Sequence, residues 1–330
     1  MSTFNGVVKE FADIRIDYFR NIEGERAPLA CMLSHIHSDH LVGLESYRSP
    51  FVYCSPATAE MVQRLEKRSH RMNFAKGILE HPIQTYKLLK KLLIPIPLET
   101  PTVIELSPNN RIRLTLYDAN HCVGAVCFLI EGLDNGKTVF YTGDVRSERW
   151  WVKWLQRQPT LVPFVVPDHS STNIASPQSS FSSPIRRLDC LYLDTTFATT
   201  SDPYREFPSK ADGLTEMLAT VARYPAGTNF YLDSWTFGYE DVWQTLSTFL
   251  HAQIHVDDYR MSLYQALLGV DPRPPEVAKL IGYQCGNHIQ RGCLTRQRST
   301  QLHSCERGTG CAIWSKGKSS AWSTRTNLMF

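Results

Sequence analysis

The sequence predicts a layered α/β protein, and three observations carry that prediction. Hydrophobic residues make up 42% of the 330 and aromatic residues 11%, enough for a well-filled core. Strand-like and helix-like patterns alternate from residue 51 onward. Two such stretches are separated by a compositional break: seven serines and five prolines stand between Gln158 and Arg187, with the character of a flexible surface insertion.

Taken in order, "FVYCS" reads as a short buried strand, and "PATAEMVQRLEKRSHRM" as a helix with Pro56 in its first turn. "RIRLTLYDA" alternates, with Ile112, Leu114 and Leu116 on one face and Arg113, Thr115 and Tyr117 on the other. "VGAVCFLIEG" and "KTVFYTGD" are buried strands joined through "DNGK". Beyond the break, "LDCLYLDTTF" returns to buried strand. A helix follows in "KADGLTEMLATVARY", a strand in "GTNFYLDSW" and a helix through "YEDVWQTLSTFLH". "AQIHVDDY" reads as one more strand. After Pro272 the chain turns polar and rich in Gly, Cys and Arg, and "SKGKSSAWSTRTNLMF" carries no clear element.

A formal charge of 35 − 32 = +3 says little by itself, because a nucleic-acid ligand needs local basic patches. Candidates are Arg64, Lys67, Arg68 and Arg71 in "QRLEKRSHR", and Lys87, Lys90 and Lys91 in "YKLLKKLL". Charge runs of this kind are more often solvated helix faces. No leader pattern opens the chain and no membrane-length apolar run appears. Nine cysteines in that context predict an intracellular protein whose thiols bind metal or sit buried.

"LSHIHSDHLVG" places His35, His37, Asp39 and His40 within six positions, between apolar "LACML" and "LVGLES". Imidazole and carboxylate together suit a borderline-soft divalent metal. Two further donors stand after strands: His121 in "LYDANHCVGA", and Asp144 in "VFYTGDVR", where Gly143 lets the chain turn. Singly, His121 reads as an ordinary loop histidine and Asp144 as a helix cap. Together with the first four, they predict ligands on one sheet edge.

These segments resemble the β-CASP nucleases of DNA cross-link and double-strand-break repair, a branch of the metallo-β-lactamase fold. The likeness is carried by "IRIDYF" with Asp17, "SHIHSDHLVGL", "VYCSPATAEM", "ETPT", "NHCVGAVCFL", "VFYTGDVR" and "YLDTTF". It implies an αββα sandwich over residues 1–155, a Ser/Pro-rich insertion at 156–187, a return strand and β-CASP-like domain at 188–314, and an irregular tail at 315–330. His35, His37 and His121 would hold one zinc, Asp39 and His40 a second, and Asp144 would bridge them. Magnesium or manganese is the alternative ion for the second position. Asp17 would orient ligands and bound water. Asp194 would match the acidic residue that opens the β-CASP insertion, the plain alternative being a strand-end carboxylate capping the next turn. The implied chemistry is metal-dependent hydrolysis of a phosphodiester, in a nuclear, monomeric protein whose partners are DNA and repair proteins.

The chain also departs from that family. No histidine follows Trp314, where the family completes its second metal site, so the sequence predicts a truncated chain of low activity. Val123 and Ala125 stand where relatives tend to carry Pro and Ser. A catalytically impaired member that binds DNA or a repair partner therefore stands beside the nuclease, with an RNA nuclease or small-molecule hydrolase behind both. A separate structural zinc is expected at His255, His303, Cys305 and Cys311, since two imidazoles and two thiolates suit a closed tetrahedral site and the first three fall at matching family positions. The rival set is Cys285, His288 and Cys293 in "CGNHIQRGC".

Overall fold

A computed structural model describes residues 4–67, 72–73, 78–79, 83–165, 186–198, 208–234, 237–305 and 311. Most of the Ser/Pro-rich interval, the tail, Arg68 and Arg71 lie outside the described residues.

The first sheet orders β1 (Ile14–Ile16), β2 (Ala30–Leu33), β3 (Val52–Cys54) and β4 (Leu93–Pro95), all parallel. Between β3 and β4 lies α1 (Pro56–Val62), capped by Ser55, whose side chain accepts from Thr58 N–H. The helix is shorter than the sequence predicts. Leu65 packs onto the core and the Glu66 N–H donates to Tyr259 Oη, so tertiary contacts draw the chain out of the helix. The segment continues as two-residue ladders, Glu66–Lys67 with Ile83–Gln84 and Met72–Asn73 with Ile78–Leu79.

The second sheet contains β5 (Thr102–Ser107), β6 (Asn110–Asp118), β7 (Val126–Gly132) and β8 (Thr138–Tyr141), each antiparallel to the next. After α2 (Arg149–Leu155), β9 (Cys190–Tyr192) joins parallel to β8. The alternation expected in β6 sends Ile112, Leu114 and Leu116 into the space between the sheets, where they meet Ile14, Ile16 and Met32. Tyr117 faces the other way and packs with Trp151 of α2 and Phe140. The layers are therefore helix, sheet, sheet, helix. Strand β9 is less covered than its sequence suggests. It lies at the sheet edge, and Leu191 and Leu193 are more than half exposed.

The outer face of the first sheet packs against the second half of the chain. There, α3 (Lys210–Val221), β10 (Phe230–Tyr231), α4 (Glu240–Leu250), β11 (Ile254–His255), α5 (Asp258–Ala266) and α6 (Pro275–Ile281) are followed by β12 (Gly282–Cys285), β13 (His288–Arg291), β14 (Leu294–Thr295) and β15 (Leu302–His303). Strands β10, β15, β11 and β14 form a wholly parallel sheet in that order. Its Ile254, Leu294 and Leu302 share one core with Leu33, Val52 and Met61. The antiparallel hairpin β12–β13 occupies a stretch the sequence left without elements. Its residues 283–291 are exposed, so no buried periodicity announces it.

Candidate metal centre

The C-terminal ends of β1, β2, β6 and β8 meet at one edge, and each delivers a polar side chain. Asp17 follows β1 in a left-handed conformation, φ 57°, which aspartate tolerates better than most residues. Its carboxylate is buried; Oδ1 accepts from Ser34 N–H at 2.7 Å, and Oδ2 from Ser34 Oγ at 2.6 Å and His40 Nδ1 at 2.9 Å. Ser34 Oγ spends its proton on Asp17, so its 2.9 Å contact with His35 Nδ1 is accepting. Both imidazoles thus carry a proton on Nδ1 and turn Nε2 inward. Both Nε2 atoms are buried with no hydrogen-bond partner among the described residues.

His37 is held the opposite way round. Its Nε2 donates to the Phe237 carbonyl at 3.1 Å, leaving Nδ1 to face His121 Nε2 at 3.1 Å. Asp144 closes the ring, with Oδ2 at 3.7 Å from His35 Nε2 and 3.8 Å from His121 Nε2, and Oδ1 at 3.3 Å from His40 Nε2. Gly143 places it: at φ 58°, a Cβ there would also sit 3.0 Å from that of Ser34. The donor atoms of His35, His37, His121 and Asp144 all lie within 4.8 Å of one another. Asp39 stands outside this group, half exposed, with Oδ2 at 3.5 Å from His40 Nε2.

The two sides of Asp144 differ in protonation. Burial, reinforced by His40 and His37, holds His35 well below the usual imidazole range. Burial and His37 bring His121 down to about 4, and burial also lowers His37 despite the Phe237 carbonyl. These three are neutral at pH 7, with lone pairs available. Burial would lower His40 too, but the Asp17 and Asp144 carboxylates outweigh it and raise the group to about 10. Without a cation nearby, a proton occupies His40 Nε2, and a metal there must displace it. The buried Nε2 of His35, without a hydrogen-bond partner among the described residues, three neutral imidazoles and the Asp144 carboxylate make a donor set that fits a divalent ion on the His121 side. The His40 side has three protein donors, His40, Asp39 and Asp144.

Asp194 is brought beside this edge in a supporting position. Its Oδ2 accepts from Val145 N–H at 3.2 Å and its Oδ1 from Thr196 N–H and Oγ1. It thus caps its own turn and tethers the loop that carries Asp144. Sequence reading missed Ser34, the Phe237 carbonyl and Thr142, whose Oγ1 accepts from Asp194 N–H and donates to Gly143 O. A serine directly before His35 was a usable signal. A carbonyl 200 positions from its histidine was not.

The second group also assembles. Parallel pairing puts His255 directly beside His303, with Nδ1 atoms 3.3 Å apart and Cys311 Sγ at 3.6 and 3.4 Å from them. With Cys305 the four donor atoms lie within 4.8 Å of one another, and all four residues are buried. Burial lowers both imidazoles, so neither brings a charge of its own. The rival residues separate: Cys285 and His288 face each other on the exposed hairpin, while Cys293 is buried beneath it. Of the basic candidates, Lys87, Lys90 and Lys91 are exposed on one 3-10 turn, and Arg64 is engaged by Glu60 at 2.7 Å.

Replacing Asp17 with asparagine isolates the orienting group, because asparagine accepts the same left-handed backbone. The expected result is a 10- to 100-fold loss of metal affinity, about the loss usual for partners that orient ligands. Competition against a chromophoric chelator measures it, and unchanged affinity would refute the assignment.

Layered sheets with a His/Asp cluster at one edge define an α/β protein built around a metal-binding edge. The chain belongs to the metallo-β-lactamase/β-CASP family, as a homologue of the proteins named Artemis and Apollo. It is 30% identical to protein artemis of Pongo abelii and of Homo sapiens over 325 residues, covering 92% of this chain and 37% of each of those. It is also 30% identical over 223 residues to the 5′ exonuclease Apollo of Gallus gallus, covering 67% of this chain and 36% of that one. The chain therefore spans little more than a third of the length of these curated relatives. No family model matches it. The crystal structure of Zn2+-bound PqqB from Methylobacterium extorquens matches over 42% of each chain at 17% identity with a TM-score of 0.26, too slight a likeness to carry an argument.

Proposed function

We propose that the chain is a zinc-dependent DNA nuclease that hydrolyses phosphodiester bonds during DNA repair. The observation that carries this reading is the pair of buried Nε2 atoms of His35 and His40, without hydrogen-bond partners among the described residues, on either side of Asp144. The choice of DNA, of end processing at double-strand breaks or cross-links, and of a nuclear setting rests on the relatives named Artemis and Apollo.

In this reading His35, His37 and His121 would hold one ion and Asp39 and His40 a second, with Asp144 available to either. The chemistry a bound divalent ion would supply there is acidification of water and compensation of charge on the phosphate under attack. The chain's own part is orientation. Asp17 and Ser34 fix which nitrogen of His35 and His40 points inward, and Phe237 does the same for His37 in the opposite sense. The exposed Lys87–Lys91 turn would bind backbone phosphates. We assign residues 1–155 to the metallo-β-lactamase domain and 188–314 to the return strand and β-CASP-like insertion, with structural zinc at His255, His303, Cys305 and Cys311. No described helix is long and apolar enough to cross a membrane.

The three-donor set on the His40 side favours one second reading, a family member that binds DNA or a repair protein with little turnover. End-labelled single-stranded and hairpin DNA, with and without a chelator, separates the two. The expected result is chelator-sensitive cleavage that rises steeply as zinc, manganese or magnesium is added, because the second ion binds weakly. Robust cleavage after exhaustive metal removal would overturn the metal mechanism. DNA binding without cleavage in every loaded form would select the second reading.

A further inference from the structure

A groove of about 990 Å³ lies at the end of α4 remote from the metal centre. Its walls are the C-terminal half of α4, the end of α6 and the hairpin β12–β13. Phe249 and Tyr283, 41% and 50% exposed, present aromatic surface in it. Lys279, Arg291 and His251 stand around them, and among the described residues no aspartate or glutamate lines it. The walls are tied together: Gln253 Nε2 donates to Gly292 O at 2.7 Å, and Cys293 N–H to Lys279 O at 2.9 Å. Where α6 meets the hairpin the backbones pack so closely that a Cβ on Gly292 would fall 2.2 Å from Leu280 O.

Exposed aromatic faces interleaved with cations, without a carboxylate, suit a polyanion that also carries flat apolar groups. Single-stranded nucleic acid has that chemistry, since bases stack on the rings while phosphates meet the cations. An acidic peptide would satisfy Lys279 and Arg291 but leave both rings without a stacking partner. At its other end α4 adjoins the metal centre: Phe237 O holds His37, and a Cβ on Gly238 would lie 3.1 Å from His121 O. The 11 residues of α4 rise about 16 Å, roughly five nucleotides of stacked strand at about 3.4 Å each.

We propose that the α4–α6–hairpin groove is a binding site for single-stranded nucleic acid, with Lys279 and Arg291 on phosphates and Tyr283 and Phe249 stacking on bases. Where the nuclease reading holds, the groove takes the same strand that the metal centre cuts, about five nucleotides away; the binding assignment itself does not depend on cleavage.

The test uses the full metal-loaded chain and a fluorescent oligothymidylate of about 16 nucleotides, near the upper site size for one binding fold, with cleavage-resistant linkages. Anisotropy titrations compare the wild type with Lys279→Glu/Arg291→Glu, Tyr283→Ala and Tyr283→Phe. The double charge reversal should weaken binding at least about tenfold and flatten the salt slope by about 1.4, two phosphate contacts at about 0.7 each. Tyr283→Ala should weaken it about fivefold or more at an unchanged salt slope, and Tyr283→Phe should restore it. Equal affinity across the set, with circular dichroism and metal content unchanged, would overturn the proposal. Displacement of the oligonucleotide by polyglutamate as readily as by unlabelled DNA would overturn it in favour of an acidic peptide. Cleavage is a separate readout: the double variant should slow cutting of a long strand and spare one of about four nucleotides, too short to reach the groove. If the wild type cuts neither, the nuclease reading fails while the binding result stands.

Discussion

Alanine at both His35 and His37 should remove one metal ion per chain and lower phosphodiester cleavage by about a thousandfold or more. Of the four converging donors, His35, His37, His121 and Asp144, this change deletes two, and the ones left, His121 and Asp144, are both partly exposed. Two protein ligands cannot outcompete solvent, and metal catalysis supplies several kcal/mol of transition-state stabilisation, each 1.36 kcal/mol being a factor of ten in rate. The fold should persist, because both residues follow strand β2 and contribute nothing to the apolar layer between the sheets. Elemental analysis of the purified variant, together with the end-labelled DNA assay, decides the matter. Unchanged metal content, after correction for the second cluster, would sink the assignment of these ligands.

Serine at both Cys305 and Cys311 should cost about one zinc per chain and most of the stability of the parallel sheet, with His35 and Asp144 untouched. The strands of that sheet are two residues each, so ladder hydrogen bonds alone hold it weakly. A closed site of two imidazoles and two thiolates contributes folding free energy directly, on the order of 10 kcal/mol in small zinc modules. Removing it leaves two buried imidazoles with opposed lone pairs. Zinc stoichiometry and hydrogen exchange at the Leu232 and Ser304 amides, which donate to His303 O and His255 O, give independent readouts. A variant that keeps its zinc, or loses it with no change in exchange, would end the proposal of a structural ion there.

Much of this architecture was legible in the chain, and the exceptions have physical causes. Strands with a clear period, such as Asn110–Asp118, formed where the alternation placed them, because one face had to enter the layer between the sheets. Strand-end histidines and aspartates were legible because their residue types suit few other uses in combination. The helix begun at Pro56 stopped short of its apparent pattern, since Leu65 found the core and Tyr259 captured the next amide. The hairpin at Gly282–Arg291 had no apolar face to betray it. Asp194 was legible as a strand-end carboxylate, yet its bonds to Val145 and Thr196 are long-range and local at once, and only geometry separates them. Pairing of His255 with His303 needed the strand order of the parallel sheet, which no spacing encodes.

Phe237 and Gly238 give the metal edge a place in time as well as in space. The carbonyl that fixes the His37 ring comes 200 positions later in the chain, and the neighbouring glycine lies against the backbone of His121. A nascent chain that has finished both sandwich sheets through Tyr192 still lacks the group that chooses between the two nitrogens of His37. Loop closure on that scale is slow compared with local pairing, and synthesis adds only about 5–20 residues per second. The ion-binding geometry is thus among the last features to be completed during biosynthesis. A ribosome-bound intermediate halted before Phe237 should fold its sheets while binding the ion on the His121 side only loosely.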